Sequence, residues 1–317
     1  MDVHSKRIII MKERVEVWAP ATVANMNVGF DALGCALSAP GERMIVHRTS
    51  EPGVVRIRAI HGAALDMHPE RNVASIAAKS LLQSLGNPCG LEMEIFKSIL
   101  PGSGIGSSAA SAAAAVVGVN ELLDAGLRPD ELIPFALDGE SFASGARHAD
   151  NVAPALLGGL VICPPEGPPI AIPALEDWSM VVLHPQIPIK TADARAVLPG
   201  QVPLKDAAAQ AAWFGTFVAA CHRGDGTAAA YALEDLLVGP HRSKLIPHFD
   251  EVRTLAFDCG ARAGGISGSG PSTFWVALDS AAAENIKEAL SGLMQRHAVP
   301  FSIHISAISG RGAHCIS

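Results

Sequence analysis

The sequence predicts a two-domain α+β fold. Candidate strands and helices mix along the 317 residues without the regular strand–helix–strand period of a doubly wound parallel sheet. Five prolines fall within residues 164–173, and such a cluster is typical of a domain boundary. We therefore expect a short N-terminal extension at residues 1–14, a first domain over 15–165 and a second over 166–317.

The composition indicates a well-packed globular chain. Hydrophobic residues make up 49% and charged residues 17%, which suits a sizeable core. A net charge of −7 argues against nucleic acid as a partner. The longest apolar run, residues 109–119, is too short for a membrane span. The six cysteines form no Cys-x-x-Cys pair, so we expect free thiols and a cytoplasmic location.

The first half of the chain contains strand and helix patterns separated by turn signals. The alternation at residues 15–18 predicts a strand that ends at Pro20, followed by a loop over residues 21–34. A Glu-Pro-Gly turn joins the next two strands, and Gly-Asn-Pro closes the first helix. Further strands are predicted at residues 43–48, 54–60, 91–95 and 160–163, and helices at 73–85, 107–119 and 129–144.

The second half continues with the same mixture of elements. Helical periodicity predicts helices at residues 206–223, 227–237 and 281–296. Short apolar or alternating runs predict strands at 180–183, 273–278 and 302–308. A second loop of small residues precedes the strand at 273–278.

A glycine-rich stretch at residues 101–112 predicts an anion site. Glycine lets backbone N–H groups approach a phosphate, and a helix start adds unpaired donors and partial positive charge. The loop glycines are Gly102, Gly104 and Gly106, and the serines are Ser107, Ser108 and Ser111. The stretch lacks the lysine of a Walker A loop and the spacing of a dinucleotide fingerprint. A divalent metal would therefore have to neutralise the phosphates, although a flexible turn with a serine N-cap explains the stretch equally well.

Several stretches together resemble the GHMP family of small-molecule kinases, and within it the kinases that act on homoserine. These stretches are residues 19–34, 101–109, 148–159 and 265–272, with shorter support from 191–199 and 240–247. The resemblance implies an N-terminal domain of the ribosomal-S5-like type, a ferredoxin-like C-terminal domain, and a site between them. It also implies transfer of the ATP γ-phosphoryl group to the side-chain hydroxyl of L-homoserine, a step towards threonine. The C-terminal residues 310–317 match the family pattern only loosely.

The resemblance assigns ATP and Mg²⁺ to named positions. The implied ATP-binding residues are Asn72, Val73, Pro101, Gly102, Ser103, Gly104, Ile105, Gly106, Ser107 and Ser108. Ser108 and Glu140 are the implied Mg²⁺ ligands, and hard oxygen donors suit that ion. Without the resemblance, Glu140 would be interpreted as a solvated helix residue. The loop at 265–272 would either contact the ligand or pack beneath the phosphate loop.

The resemblance also assigns the amino-acid site. The implied substrate contacts are Asn25, Asp31, His148, Asp150, Arg195 and Arg242. Carboxylates suit an ammonium group, and guanidinium forks suit a carboxylate. Asn151 stands where many GHMP kinases carry an aspartate base, and an amide cannot accept the proton. We therefore expect Asn151 and Thr191 to orient the acceptor hydroxyl, whose proton passes to the transferred phosphoryl group.

Two other functions compete with this interpretation. A GHMP kinase for a mevalonate-type alcohol would have no ammonium group to pair with Asp31 and Asp150. A non-catalytic ligand sensor on the same fold would be expected to lose the metal ligands or loop glycines, which are present here. The low charge content and the alanine-rich helices indicate a subunit interface, and we expect a homodimer.

Overall fold

A mixed sheet of seven strands forms the first half of the fold. The computed structural model describes residues 12–145, 147–189 and 191–317, so most of the expected N-terminal extension lies outside the described residues. The strands of this sheet are β1 Arg14–Ala24, β2 Leu33–Thr49, β3 Val55–His61, β4 Gly90–Phe96, β5 Leu160–Ile162, β6 Ile170–Ile172 and β11 His314–Cys315. Their order is β11-β1-β2-β4-β3, with β5 paired to β2 and β6 to β5. The β3–β4 pair is parallel, and the remaining pairs are antiparallel.

Four helices belong to this half of the fold, and the second of them contacts the other three as well as the sheet. They are α1 Val73–Ser84, α2 Ser107–Leu122, α3 Pro129–Ser144 and α4 Ala149–Leu157. Helix α2 is buried along most of its length against β1 and β2. Its run of alanines lets neighbouring backbones approach closely, which is the packing advantage of a small side chain. The glycine-rich loop is thereby held at the start of a rigid, buried helix.

A second sheet of four antiparallel strands lies between two hydrophobic cores. Its strands are β7 Ser179–Pro185, β8 Ala263–Ile266, β9 Thr273–Ala277 and β10 Phe301–Ser306, in the order β10-β7-β9-β8. Met180, Val182 and Phe274 face the core shared with the first sheet. Val181 and Trp275 face a second core beneath the last two helices. This alternation follows from the two-residue period of a strand.

The remaining helices follow the second half of the chain. They are α5 Thr191–Ala196, α6 Leu204–Arg223, α7 Gly226–Tyr231, α8 Gly239–Arg242, α9 Phe249–Asp258 and α10 Ser280–Arg296, with a 3-10 turn at Ser243–Leu245. Within the described part of the chain, none of the helices has the length and apolar character needed to cross a membrane. The expected boundary after residue 165 falls between β5 and β6 and stays a prediction. Both β6 and β11 pair into the first sheet, so the chain returns to that sheet at its end.

The predicted loop at residues 21–34 is wrong at both ends. Strand β1 continues past Pro20 to Ala24, and β2 begins at Leu33 rather than at residue 43. The register between β1 and β2 shifts between Pro20 and Thr22. Proline is tolerated in a sheet at such an irregularity because its missing N–H breaks no regular ladder bond.

Two helix predictions also need correction. The predicted helix at 227–237 ends at Tyr231, and the N–H groups of residues 237–239 donate to the Asp235 side chain in a turn instead of continuing the helix. Helix α4 was not predicted, since Pro154 lies inside it and argues against a helix. Its buried face, including Val152 and Leu156, holds it in place. Helices α5, α8 and α9 and strands β6, β8 and β11 were likewise not predicted.

Candidate active site

One cavity of about 1120 Å³ brings nearly all the predicted site residues together. The predicted residues that line it are Asn25, Asp31, Asn72, Val73, Pro101, Gly102, Ser103, Gly104, Gly106, Ser107, Ser108, Glu140, His148, Asp150, Asn151, Thr191, Arg195 and Arg242. Ile105 is the exception, since its side chain is buried in the core. Its carbonyl accepts a hydrogen bond from the Thr22 N–H at 3.2 Å, which ties the loop to β1.

The phosphate loop at residues 101–106 holds a conformation that requires glycine at two positions. Gly104 has φ +82°, and a Cβ atom there would lie 2.6 Å from the Gly270 carbonyl oxygen. Gly106 has φ +69° and is the N-cap of α2, and a Cβ atom there would overlap the Thr22 hydroxyl. The left-handed backbone and the close approach together exclude side chains. The first N–H groups of α2 therefore reach the cavity unobstructed, as an anion site needs.

The second small-residue loop, residues 265–272, is hydrogen-bonded to the phosphate loop. The Ser267 hydroxyl donates to the Gly104 carbonyl at 2.7 Å, and the Ser272 hydroxyl donates to the Ser103 carbonyl at 2.6 Å. Gly268 also lines the cavity. The loop therefore packs against the phosphate loop and also borders the cavity.

Ser108 and Glu140 present oxygen donors that fit a divalent cation. Their side chains are hydrogen-bonded to each other, although they come from α2 and α3. Burial raises the pKa of Glu140 to about 7, against a smaller lowering by Ser108. A bound cation would reverse this effect, because a positive charge favours the carboxylate. Nearby, the buried Ser103 hydroxyl has no hydrogen-bond partner among the described residues, as expected of a donor reserved for a ligand oxygen.

The start of α1 and two apolar side chains shape another part of the cavity wall. Asn72 caps α1 by accepting from the Ala74 N–H at 3.0 Å, and its amide donates to the Asp66 carbonyl. Leu65 and Phe142 also line the cavity and are exposed. Apolar side chains beside a positioned backbone segment provide the packing surface that a nucleotide base needs.

Asp31 and Arg195 meet in the cavity as a bidentate ion pair. Arg195 Nη1 and Nη2 donate to the two Asp31 oxygens, each at 3.1 Å. His148 completes the cluster, with Nε2 3.0 Å from Arg195 Nη2. Asp31 has φ +55°, and its N–H donates to Asn25 Oδ1 at 3.0 Å. Asn25 thus fixes the turn that presents Asp31.

Arg242 and Asp150 are two further ionisable residues of the same cavity, and both are buried. Arg242 donates to the Ala194 carbonyl at 3.0 Å and to the Gly268 carbonyl at 2.8 Å. Burial lowers the pKa of Arg242, and the neighbouring Arg195 lowers it further. Burial raises the pKa of Asp150 to about 7, with added repulsion from Asp31 and Glu140. A ligand with charges of both signs would relieve this electrostatic cost.

Asn151 is oriented by a residue that the sequence analysis missed. The Thr22 hydroxyl donates to Asn151 Oδ1 at 2.6 Å, which leaves the amide nitrogen available to the cavity. Gly106 lies against this pair, so the amide stands at the end of the phosphate loop. Thr191 opens α5 and is exposed at the cavity wall. The phosphate loop, the Asn151 amide and the Thr191 hydroxyl therefore border the same cavity.

A buried ion pair beneath the phosphate loop was also missed. Lys97 Nζ lies 2.5 Å from Glu42 Oε2 and donates to the Ser107 carbonyl and the Ser111 hydroxyl, each at 3.0 Å. Burial raises the pKa of Glu42, and the charge of Lys97 opposes that rise. The pair depends on the register of β2 against β4, in which Arg43 lies opposite Phe96. Because the strands are antiparallel, Glu42 before Arg43 then meets Lys97 after Phe96. No local sequence signal reveals that register.

Comparisons with known proteins agree with this architecture. The family models "GHMP kinases N terminal domain" and "GHMP kinases C terminal" match residues 72–159 and 210–295. The homoserine kinase of Xanthomonas campestris pv. campestris is 44% identical over 283 residues, covering 87% of each chain. The homoserine kinase of Xylella fastidiosa strain 9a5c is 41% identical over 273 residues, covering 85% of this chain and 84% of that one.

A solved structure extends the similarity to the whole fold. The crystal structure of homoserine kinase from Cytophaga hutchinsonii superposes with a TM-score of 0.93 at 37% identity, covering 98% of this chain and 99% of that chain. The predicted α+β class and the two-domain GHMP kinase architecture are thereby confirmed. The chain belongs to the GHMP kinase family and, within it, to the homoserine kinases.

Proposed function

We propose that this enzyme transfers the γ-phosphoryl group of ATP to the side-chain hydroxyl of L-homoserine, yielding O-phospho-L-homoserine for threonine biosynthesis. The observation that carries the proposal is a single cavity that contains a phosphate loop and a cluster of paired charges. Phosphoryl transfer depends mainly on alignment and charge stabilisation, so such a cavity suffices for the chemistry. The homoserine kinase relatives support the choice of acceptor.

The charged cluster matches a zwitterionic amino acid. Asp31 and Asp150 would attract the ammonium group, and Arg195 and Arg242 the carboxylate. In the structure, Arg195 and Asp31 pair with each other. Binding would exchange this pair for two pairs with the substrate, so no charge is left uncompensated. A mevalonate-type alcohol lacks the ammonium group and would leave Asp31 and Asp150 without a cationic ligand.

ATP would lie along the phosphate loop, with its triphosphate facing the start of α2. Ser103 and the backbone N–H groups of the loop would donate to phosphate oxygens. Ser108 and Glu140 would hold Mg²⁺, which neutralises phosphate charge when bound. Leu65 and Phe142 would pack against the base beside Asn72 and Val73.

The reaction needs no dedicated aspartate base in this proposal. Asn151 Oδ1 already accepts from Thr22, so its amide nitrogen is the group that can contact the acceptor oxygen. Asn151 and Thr191 would orient the hydroxyl, and the new bond forms between its oxygen and the γ-phosphorus as the bond to ADP breaks. The hydroxyl proton passes to an oxygen of the transferred phosphoryl group. A loose transition state makes prior deprotonation unnecessary.

A coupled ADP-release assay with Mg-ATP tests the proposal. L-homoserine, L-serine, L-threonine and mevalonate would be offered separately to the wild type, to Arg195→Ala and to the exposed control Arg223→Ala. We expect turnover with homoserine that Arg195→Ala loses and Arg223→Ala keeps. Turnover with mevalonate would reject the proposed substrate. ATP binding without turnover of any acceptor would favour the sensor alternative.

We further propose that the enzyme is a cytoplasmic homodimer. The six cysteines are free, which suits a reducing compartment. Leu204 is 85% exposed and Tyr231 70% exposed, a large apolar exposure for a chain with no partner. Helix α6 adds exposed small residues between them, including Ala212 and Gly215. Light scattering should give the dimer mass for the wild type and the monomer mass for Leu204→Glu, and a monomeric wild type would reject this assembly.

A further inference from the structure

Two histidines and a glutamate cluster on the surface of the second half of the fold, away from the residues assigned to catalysis. His248 is the N-cap of α9, Glu251 lies in the first turn of that helix, and His297 is the C-cap of α10. His297 Nε2 lies 2.8 Å from Glu251 Oε2, and His248 Nδ1 lies 3.6 Å from Glu251 Oε1. One nitrogen or oxygen from each of the three residues falls within 4.8 Å of the others.

The arrangement of the two rings concentrates nitrogen donors. The imidazoles of His248 and His297 stack with centroids 3.6 Å apart and planes inclined by 21°. The Glu251 carboxylate can only accept in its contact with His297 Nε2, and a cation bound here would replace that proton and take the nitrogen lone pair. The carboxylate between them supplies a negative charge. Such a donor set, two imidazoles and one carboxylate, matches the ligands that Zn²⁺ takes in proteins.

The backbone around the cluster supports a functional arrangement. His248 adopts φ +61° and ψ +15°, a left-handed conformation that few non-glycine residues adopt. The partial negative charge at the C-terminal end of α10 favours a cation at His297 and offsets the partial positive charge at the N-terminal end of α9. Helix ends from two separate elements thus converge on one point.

A small cavity beside the cluster leaves room for further ligands. Its volume is about 340 Å³, and His248 and Glu251 line it together with residues of the preceding turn, including Ser243 and Lys244. Three protein donors leave the fourth position of a tetrahedral zinc ion open. Water from this cavity can occupy that position. Tetrahedral ligand atoms lie roughly 3.3 Å apart for bonds of about 2 Å, so small side-chain rotations close the cluster around an ion.

We propose that His248, Glu251 and His297 form a binding site for a borderline transition-metal dication, Zn²⁺ in the first instance. Mg²⁺ is a poor match, because it prefers oxygen ligands in octahedral geometry. The site joins the start of α9 to the end of α10. This site is separate from the proposed Mg²⁺ ligands Ser108 and Glu140.

Zinc titration of the full chain tests the proposal. The chelator-treated protein is titrated with Zn²⁺ by calorimetry in excess Mg²⁺, which keeps the Ser108–Glu140 site occupied. The variants are His297→Gln, Glu251→Gln and His248→Asn, the last chosen because asparagine tolerates the left-handed conformation. The exposed His222→Gln is the matched control. We expect one Zn²⁺ per wild-type or control chain, and binding weakened by at least about tenfold in each cluster variant.

Cobalt spectroscopy provides a second readout of the same site. Co²⁺ in place of Zn²⁺ should give the visible absorption of low-symmetry four-coordinate cobalt in the wild type and the control, and lose it in His297→Gln. Unchanged homoserine turnover under Mg-ATP shows that the variants are folded. A wild type that binds no Zn²⁺ would overturn the proposal. So would cluster variants that bind Zn²⁺ as tightly as the wild type, because the ion would then lie elsewhere, for example on a thiol.

Discussion

Arg195 and Asp31 form a two-point ion pair that joins α5 to the loop after β1, with both Arg195–Asp31 distances at 3.1 Å. The Arg195 and Asp31 side chains are 42% and 27% exposed. A partly exposed pair of this kind contributes little to stability. Its position in the cavity instead suits exchange with a zwitterionic substrate. A role in binding and a role in stability can be separated by measuring KM and the free energy of unfolding.

Replacement of Asp31 by asparagine should affect substrate binding far more than folding. We expect Asp31→Asn to raise the KM for homoserine by about 10- to 100-fold, because the ammonium loses a carboxylate partner. The free energy of unfolding should change by less than about 1 kcal/mol. Steady-state kinetics at saturating Mg-ATP and urea denaturation measure the two effects. Glu51→Gln, in an exposed pair with Arg56, is the control. An unfolding change as large as the binding change would contradict this role.

Removal of the Thr22 hydroxyl should slow catalysis, because the Asn151 amide loses the hydrogen bond that orients it. Thr22→Val leaves a similar shape and removes the donor to Asn151 Oδ1. We expect kcat to fall by about tenfold or more, since a lost buried hydrogen bond costs about 1–3 kcal/mol. The KM for ATP should change little. Thr22→Ser retains the hydroxyl and should keep most of the activity. Equal kcat values for the valine variant and the wild type would reject the orienting role.

The buried Lys97–Glu42 pair should be required for stability of the first domain. Both side chains are almost fully buried, with exposures of 2% and 0%. Glu42→Ala leaves the lysine without its carboxylate, and we expect a loss of about 3–5 kcal/mol in the free energy of unfolding. The exposed pair Lys287–Glu284 offers a matched control, since Glu284→Ala should cost less than about 1 kcal/mol. Similar urea midpoints for the two variants would contradict the prediction.

Asp150 should make the ligand-free enzyme less stable as the pH rises. Its pKa is raised from 3.8 to about 7 in the folded chain. Between these values the unfolded chain loses the proton first, so the free energy of unfolding falls with increasing pH. Asp150→Asn removes the buried charge and should be more stable than the wild type at pH 8 by about 1–3 kcal/mol. At pH 4 the difference should be small.

The same Asp150 variant should bind homoserine poorly, because it lacks one partner for the ammonium group. Urea denaturation at pH 4 and pH 8, with and without homoserine, measures stability and binding together. A wild type whose stability rises between these pH values relative to Asp150→Asn would contradict the assignment. The comparison with the variant isolates Asp150 from the other titrating groups.

Two glycines of the phosphate loop offer a matched test of its geometry. Gly102 and Gly104 both have positive φ, +73° and +82°, but only a Cβ atom at Gly104 meets other atoms, chiefly the Gly270 carbonyl oxygen. Alanine at either position carries backbone strain. We expect Gly104→Ala to lower kcat/KM for ATP at least about tenfold more than Gly102→Ala does. Equal losses of kcat/KM would show that backbone strain alone, and not the contact with the second loop, lowers the activity of the variants.

The sequence allowed some elements to be predicted because their signals are local. The predicted helix at 129–144 coincides with α3, which has proline in its first turn and Gly145 as its C-cap. The glycine-rich loop before α2 was predicted from glycine spacing and helix-start chemistry, and its role in binding phosphate stays a prediction. The assignment of the charged residues depended on family resemblance, since Asp31, Asp150, Arg195 and Arg242 come from four separate segments. Taken singly, Asp31 is compatible with a turn residue, and Arg195 and Arg242 are compatible with surface charges.

Other features could not be predicted because they depend on long-range pairing. Lys97 meets Glu42 only through the register of two strands, and Thr22 meets Asn151 only because β1 lies beside α4. Helix α4 forms although it contains Pro154, which normally disfavours a helix, because burial of its apolar face outweighs that effect. The cluster of His248 and His297 likewise requires the packing of α9 against α10.

The hydrogen bonds from Ser267 and Ser272 to the phosphate loop also bear on how the enzyme is made. These serines follow their partners, Gly104 and Ser103, by 163 and 169 residues. At translation rates of about 5–20 residues per second, the loop waits roughly 10–30 s for them to be synthesised. A nascent chain that ends before Ser267 therefore has its central helix but not the fastened loop. The glycine-rich loop is therefore held in its final contacts only late in synthesis, after the second half of the chain has been made.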